Sequence, residues 1–216
     1  MTDASQIIDV MPLDGLSRKE RRRIEDRHDI LEAATALFAE KGFEKTTLDD
    51  IASAAGFGKG TLYTHFENKG DILRNILQRG FQMLVDAVQE AIEAPRDPVG
   101  KLRTTILTIL SFFESNKTLF HIFYTERRRL MSRSSEASRN EFLEIFRKII
   151  GLLEQIFDEG IASGSFRRVD SRNAAYLVLG AVNSQVHCWM EDGATGPLKD
   201  KAAFLEEALL TGLGKS

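Results

Sequence analysis

The sequence predicts an all-α fold, and three observations carry that prediction. Apolar residues recur at steps of three and four over long stretches, only four prolines interrupt 216 residues, and capping residues or glycines stand where those stretches begin and end. At 43% hydrophobic residues the chain can bury a core without staples. The expected order is a polar tail over residues 1–17, a small helical head over 18–70, and a larger helical body over 71–216.

The tail carries Asp3, Asp9 and Asp14 but no Lys or Arg, so it lacks the basic start of a signal peptide. The run RKERRR from Arg18 to Arg23 allows two readings, the solvated start of a first helix or an arm reaching phosphates or the minor groove. Thr46 to Lys69 is more explicit. Asp50 follows Thr47 by three residues, a spacing that lets the hydroxyl cap a helix beginning at Leu48. Ile51, Ala52 and Ala55 share one face, and Gly56 reverses the chain. A second short helix opens at Lys59 with Leu62 and Phe66 inward. Thr61, Tyr63, Thr64 and His65 remain outward, the kind of surface a helix in a major groove presents.

Asn68 caps the next helix, and Ile72, Leu73, Ile76, Leu77, Phe81, Leu84, Val88 and Ile92 give it one apolar face. Running from Lys69 to Glu93, it spans roughly 37 Å, enough to join a head to a body. Pro95 and Pro98 stop it and start another, with Asp97 as cap. Leu102, Ile106, Ile109, Leu110 and Phe113 mark a fifth helix, broken at Ser115 and Asn116; Leu119, Phe120, Phe123 and Tyr124 mark a sixth. A Ser-rich turn is expected from Ser132 to Ser138. Phe142, Phe146, Ile149, Leu153 and Ile156, with Ile145, Ile150, Leu152 and Phe157, make a helix apolar on much of its circumference, closed by Gly164. Asp170 caps a helix from Ser171 to about Glu191, with Tyr176, Leu177, Leu179, Gly180, Val182 and Val186 inward; Pro197 opens the last.

Thr46 and Thr47, Ile51 and Ala52, Ala55 and Gly56, Lys59 to Tyr63, His65 and Phe66, and Lys69 together resemble the helix-turn-helix of TetR-family transcriptional regulators. Upstream, Ile30, Leu31, Ala33, Ala34, Leu37, Phe38, Gly42 and Phe43 are similar to the family's first helix and its closing turn. One departure is Gly58, where the family usually has Ser or Thr. The resemblance implies a helix-turn-helix head, joined by the long helix to a ligand-binding and dimerisation body. It implies DNA contact at Thr47, Lys59, Gly60, Thr61, Tyr63, Thr64, His65 and Lys69, with Thr47 and Lys69 on phosphates and Lys59 and Thr61 near base edges. For Tyr63 and His65, packing against the fourth helix is the competing reading. The final two helices would pack against their twins in a homodimer, with Ala174, Ala175, Gly180 and Ala181 allowing close approach; packing within one chain is the alternative.

Aromatic residues of the body, with a few polar ones, suggest an apolar cavity. Phe113, Phe120, Tyr124, Phe146, Asn183 and His187 are the candidate effector contacts. The stretch from Phe120 through Glu159, Gly160 and Gly164 to Trp189 also resembles the fatty-acyl-CoA-sensing branch of the family. Arg127 to Arg129 would then meet a CoA phosphate or simply form a solvated turn.

Other classes find little support. Four dispersed histidines suggest no metal site, no phosphate loop or nucleophile motif appears, and Cys188 beside Trp189 reads as packing. A lone cysteine allows no intrachain disulfide and fits the cytoplasm. No cofactor or membrane segment is expected. Net charge of -3 gives no help, and residues 18–75 hold eleven bases and eleven acids. Nucleic-acid binding therefore requires the bases to face DNA and the acids to face away. The expected function is a ligand-responsive DNA-binding repressor, released from a palindromic operator by a small apolar or amphipathic effector, such as a fatty acyl-CoA. The alternative is an all-α carrier or adaptor of apolar ligands with a non-functional helix-turn-helix.

Overall fold

The computed structural model describes residues 15–93, 96–133 and 136–213, with side chains described outside 127–142 and 212–213. Most of the expected tail, the side chains of Arg127 to Arg129, and those of Phe142 and Leu213 lie outside the described residues. Helices occupy nearly all the rest: α1 (Arg18–Lys41), α2 (Leu48–Ala54), α3 (Lys59–His65), α4 (Lys69–Glu93), α5 (Pro98–Ser115), α6 (Lys117–Arg133), α7 (Glu136–Ser163), α8 (Ser171–Glu191) and α9 (Lys201–Leu213). A 3-10 turn at Leu198–Asp200 precedes α9, so Pro197 opens that turn rather than the helix.

The boundaries follow from local chemistry. Ser17 caps α1 in a reciprocal box with Glu20, and Thr47 does the same for α2 with Asp50, each cap accepting from the third helical amide while its own amide reaches the acid. Gly56 sits at φ 74, and Phe57 N donates to Ala52 O at 2.8 Å while Gly56 N donates to Ser53 O at 3.2 Å; this six-to-one and five-to-two pair satisfies the last carbonyls of α2. Asn68, Asp97 and Asp170 each accept a backbone N–H of the following helix. The helices take up most of the expected Ser132–Ser138 turn, whose Ser134 and Ser135 lie outside the described residues. The helices continue to Arg133 and resume at Glu136, because serine disfavours helix by only about 0.5 kcal/mol and no glycine or proline intervenes.

Two compact units divide the chain. The first runs to Phe81 and includes Thr118–Arg139; the second comprises Gln82–Lys117 and the chain from Asn140 onward. In the first, Ile30, Leu31, Ala34 and Phe38 of α1, Ile51 and Ala52 of α2, Leu62 of α3, Phe66, and Ile72, Leu73, Ile76 and Leu77 of α4 are all buried. α6 belongs here too. Phe81 meets Phe120 and Phe123 edge-on at 5.4 and 4.9 Å, and a methyl placed on Gly80 would fall 2.1 Å from Leu119 Cδ2, so glycine lets that side chain lie as it does.

The second unit buries Leu102, Ile106, Ile109, Leu110 and Phe113 of α5, Ile149, Leu153, Ile156 and Phe157 of α7, and Val178, Val182, Val186 and Trp189 of α8. Phe166 folds back on Gly160, whose absent side chain makes the space. Three residues of α8 expected inward, Tyr176, Leu177 and Gly180, face out instead, and so does Cys188. Their apolar character resembled a core signal, but the buried stripe runs through Ala174, Ala175, Val178, Leu179, Val182 and Val186. Among the described residues no helix is long and apolar enough to cross a membrane.

Candidate nucleic-acid interface

α3 is fastened from beneath. Leu62 and the following Phe66 are buried, whereas Tyr63 is 51% exposed and Lys59, Gly60 and Thr64 also face solvent, with Thr61 half-buried. Gly58 supplies no side-chain cap, and the N-terminus of α3 is held by backbone bonds from Thr61 N and Leu62 N to Gly58 O. Thr64 donates its hydroxyl to Thr61 O at 2.7 Å, which restrains its rotamer while the residue stays exposed.

A second fastening comes from Arg27. It donates from Nη1 to His65 O at 3.1 Å and from Nη2 to Asn75 Oδ1 at 2.5 Å, with its guanidinium 4.4 Å from the centre of the Phe66 ring. The planar fork thereby ties the end of α3 to α1 and α4. His65 is half-buried; burial chiefly lowers its pKa, with Arg23 and Arg27 adding to the effect and Asp26 opposing it. No local signal in the sequence marks Arg27 as different in role from the exposed bases Arg18, Lys19, Arg21, Arg22 and Arg23 just before it. That run is helical, and Arg21 Nε donates to Leu16 O at 3.1 Å.

Lys69 is committed inward. Its ammonium donates to Phe43 O at 2.5 Å, Thr46 O at 2.7 Å and Glu44 O at 3.2 Å, and sits 4.4 Å from the centre of the Phe43 ring. All three donors are used on the turn between α1 and α2. Burial lowers its pKa, while Glu126 of α6 opposes that shift; the Glu126 carboxyl is in turn raised by burial and lowered by Lys69. Thr47, expected to meet a phosphate, spends its hydroxyl on Asp50, accepting from Asp50 N at 3.1 Å and donating to Oδ2 at 2.8 Å.

The acids do not all face away from this surface. Lys59, exposed at the leading end of α3, pairs with Asp49 of α2 at 2.9 Å, and Lys41 approaches Asp50 at 3.9 Å. Lys41 and Lys59 thus already face acids of α2.

Candidate effector residues fall on both units. Phe120, buried, and Tyr124, half-buried, belong to the first; Phe113, buried, Phe146, Asn183 and His187 belong to the second. Phe146 is partly exposed with its ring 6.0 Å from that of Tyr176, and His187 lies 3.2 Å from Glu191 on the surface of α8. His28, Asp29 and Glu32 bring ligand-type atoms within 4.8 Å on α1. A surface pair such as His28 and Glu32, 3.8 Å apart at i and i+4, needs no ion to explain it.

Residues 30–76 match the family model described as bacterial regulatory proteins, tetR family, and residues 95–212 match the tetracyclin repressor-like C-terminal domain. The chain belongs to the TetR family of transcriptional regulators. It is 31% identical over 157 residues to the HTH-type transcriptional repressor KstR2 of Rhodococcus jostii, covering 72% of this chain and 73% of that one. It is 26% identical over 185 residues to the fatty acid metabolism regulator protein of Bacillus subtilis, covering 85% and 93%. Among solved structures, the regulator FadR from Bacillus subtilis in complex with stearoyl-CoA is similar at TM-score 0.73 and 25% identity, over 85% of this chain and 97% of that one. Like these TetR-family relatives, the chain is a ligand-responsive, DNA-binding transcriptional regulator; the carrier or adaptor alternative is not favoured.

Proposed function

We propose that this TetR-family repressor acts in the cytoplasm as a homodimer, with residues 18–70 as its DNA-reading head and 71–216 as its ligand-binding and dimerisation body. Each head lays the outer face of α3 in a major groove of a palindromic operator. Thr61, Tyr63 and Thr64 meet the duplex directly, Gly60 lets the backbone approach, and Lys59 reaches a base edge or phosphate. Lys69, Thr47 and His65 contribute by holding the turn, the α2 cap and the end of α3 in register. The observation that carries this reading is the division of α3 into a buried underside at Leu62 and an open outer face at Tyr63.

Support for the dimer comes from α8 and α9 of the second unit. Leu177 and Phe204 are 54% and 61% exposed, and they border a groove of about 400 Å³ with Ala181 and Ala208. Apolar side chains of that size concentrated at one groove are expected to be covered by a partner. For the effector we propose a small amphipathic molecule with a long apolar part, a fatty acyl-CoA being the class favoured by likeness to a regulator solved with stearoyl-CoA. Release of DNA then requires the effector to bind the non-DNA conformer better, and a 10⁴-fold preference corresponds to about 5.5 kcal/mol. A gel shift on DNA upstream of the protein's own gene, repeated with acyl-CoAs of increasing chain length, tests the reading. Retarded DNA released by a long-chain acyl-CoA, but not by free CoA, is expected. Release by none of them would remove the acyl-CoA class and leave the DNA reading intact.

A further inference from the structure

Lys59 is the only Lys or Arg in α3, and its ammonium is already occupied: Asp49 Oδ1 lies 2.9 Å away and Oδ2 3.0 Å. The neighbouring acid does something else. Asp50 accepts from Thr47 N at 2.9 Å and from Thr47 Oγ1 at 2.8 Å, so its carboxylate completes the α2 cap, whereas the Asp49 carboxylate crosses to α3. Both Lys59 and Asp49 are more than half exposed, and an exposed ion pair contributes little to folding. Asp49 gains modestly from its place in the first turn of α2, but that gain does not require it to reach Lys59. Placed beside a DNA-reading helix, the same acid is unfavourable to every duplex, since DNA carries about one negative charge per 1.7 Å.

We propose that Asp49 is a specificity-determining residue that holds Lys59 as an internal counterion, so that a duplex obtains Lys59 only by taking it from Asp49. The inference rests on the reading of α3 as the helix that enters the groove. A phosphate offers Lys59 one anion in exchange for another, and leaves the Asp49 carboxylate bare against the DNA; the exchange gains nothing. Base edges with directed acceptors are read by Thr61 and Tyr63, contacts that do not require Lys59 to leave Asp49. Asp49 thus penalises sequences that supply only backbone charge and spares those that supply the right edge. Discrimination arises from the repulsive group as much as from the attractive one.

The test compares full-length wild type with Asp49→Asn, Asp49→Glu, Lys59→Gln and the double variant by fluorescence anisotropy over a range of salt. Two probes are used, a random-sequence duplex pool and a duplex selected from that pool by the wild type. Asp49→Asn is expected to bind the random pool about threefold to tenfold tighter and the selected duplex with a smaller gain, so the ratio of the two affinities falls. The salt slope on the random pool steepens by about one phosphate contact, and Asp49→Glu restores the wild-type ratio. In the Lys59→Gln background the Asp49 substitution shifts both probes alike and leaves the ratio unchanged. Asp49→Ser provides the same comparison should asparagine disturb the α2 cap. An unchanged ratio in both Asp49→Asn and Asp49→Ser overturns the proposal while leaving DNA binding intact, as does an equal fall of the ratio without Lys59. Absence of binding to either probe by wild type and variants alike overturns the DNA reading and this proposal together.

Discussion

Lys69 shows how one side chain can look like a ligand contact and serve as a clamp. Its ammonium bridges three carbonyls of the α1–α2 turn, so Lys69→Met removes three charge-assisted bonds and is expected to destabilise the protein by about 2 kcal/mol, read as a lower urea midpoint. If the clamp is its whole role, the salt slope of DNA binding stays at the wild-type value. His65 gives a pH signature. Its pKa in the folded chain lies below the ordinary 6.5, so the unfolded chain takes up the proton more readily. The stability it contributes is present in full above about pH 6.5 and is lost as pH falls through the folded value. Urea melts at pH 7.5 and 5.5 should therefore show a smaller loss of stability for His65→Gln than for wild type. At this scale the sequence was legible where a side chain acts on its near neighbours, as at Thr47 and Asp50. It was silent where the partner is 26 to 48 positions away, as for Lys69 with Phe43, Arg27 with His65 and Arg27 with Asn75.

Helix boundaries at Leu48, Lys59, Lys69, Pro98 and Ser171 could be read directly, because caps and apolar spacing are local signals. The Ser132–Ser138 segment could not, since serine favours a turn without requiring one. Periodicity also overstated α8, where it cannot separate an apolar residue turned into its own chain from one turned outward, as Leu177 and Tyr176 are. Nor does it report which unit a helix joins, and α6 lies with the first by virtue of Gly80 and the Phe81 ring pairs. Glycine explains a further element. At Gly160 a methyl would lie 2.0 Å from the Phe166 ring, so Gly160→Ala should displace Phe166 and cost about 1 to 3 kcal/mol. Gly180→Ala meets nothing within 4 Å and should cost nothing in the folded chain. Thermal melts of the two variants check the contrast.

At the scale of the whole molecule, the proposed repressor has an outward α3 face in its first unit and an exposed apolar groove at α8 and α9 in its second. Phe204→Glu places a charge in the α8–α9 groove and should convert a dimer to monomer by sedimentation while the helical circular dichroism is kept. Operator affinity should then fall far more than affinity for random duplex, because two linked heads gain from each other only when both half-sites are present. The decisive measurement is methylation protection of guanine N7, a major-groove atom, on a duplex selected by the wild type. The expected result is two protected patches of equal strength, centred about one helical turn apart, both lost in Tyr63→Ala with folding preserved. A single patch, or guanine N7 left unprotected on a duplex that is still bound, would contradict the entry of α3 into the duplex in two copies.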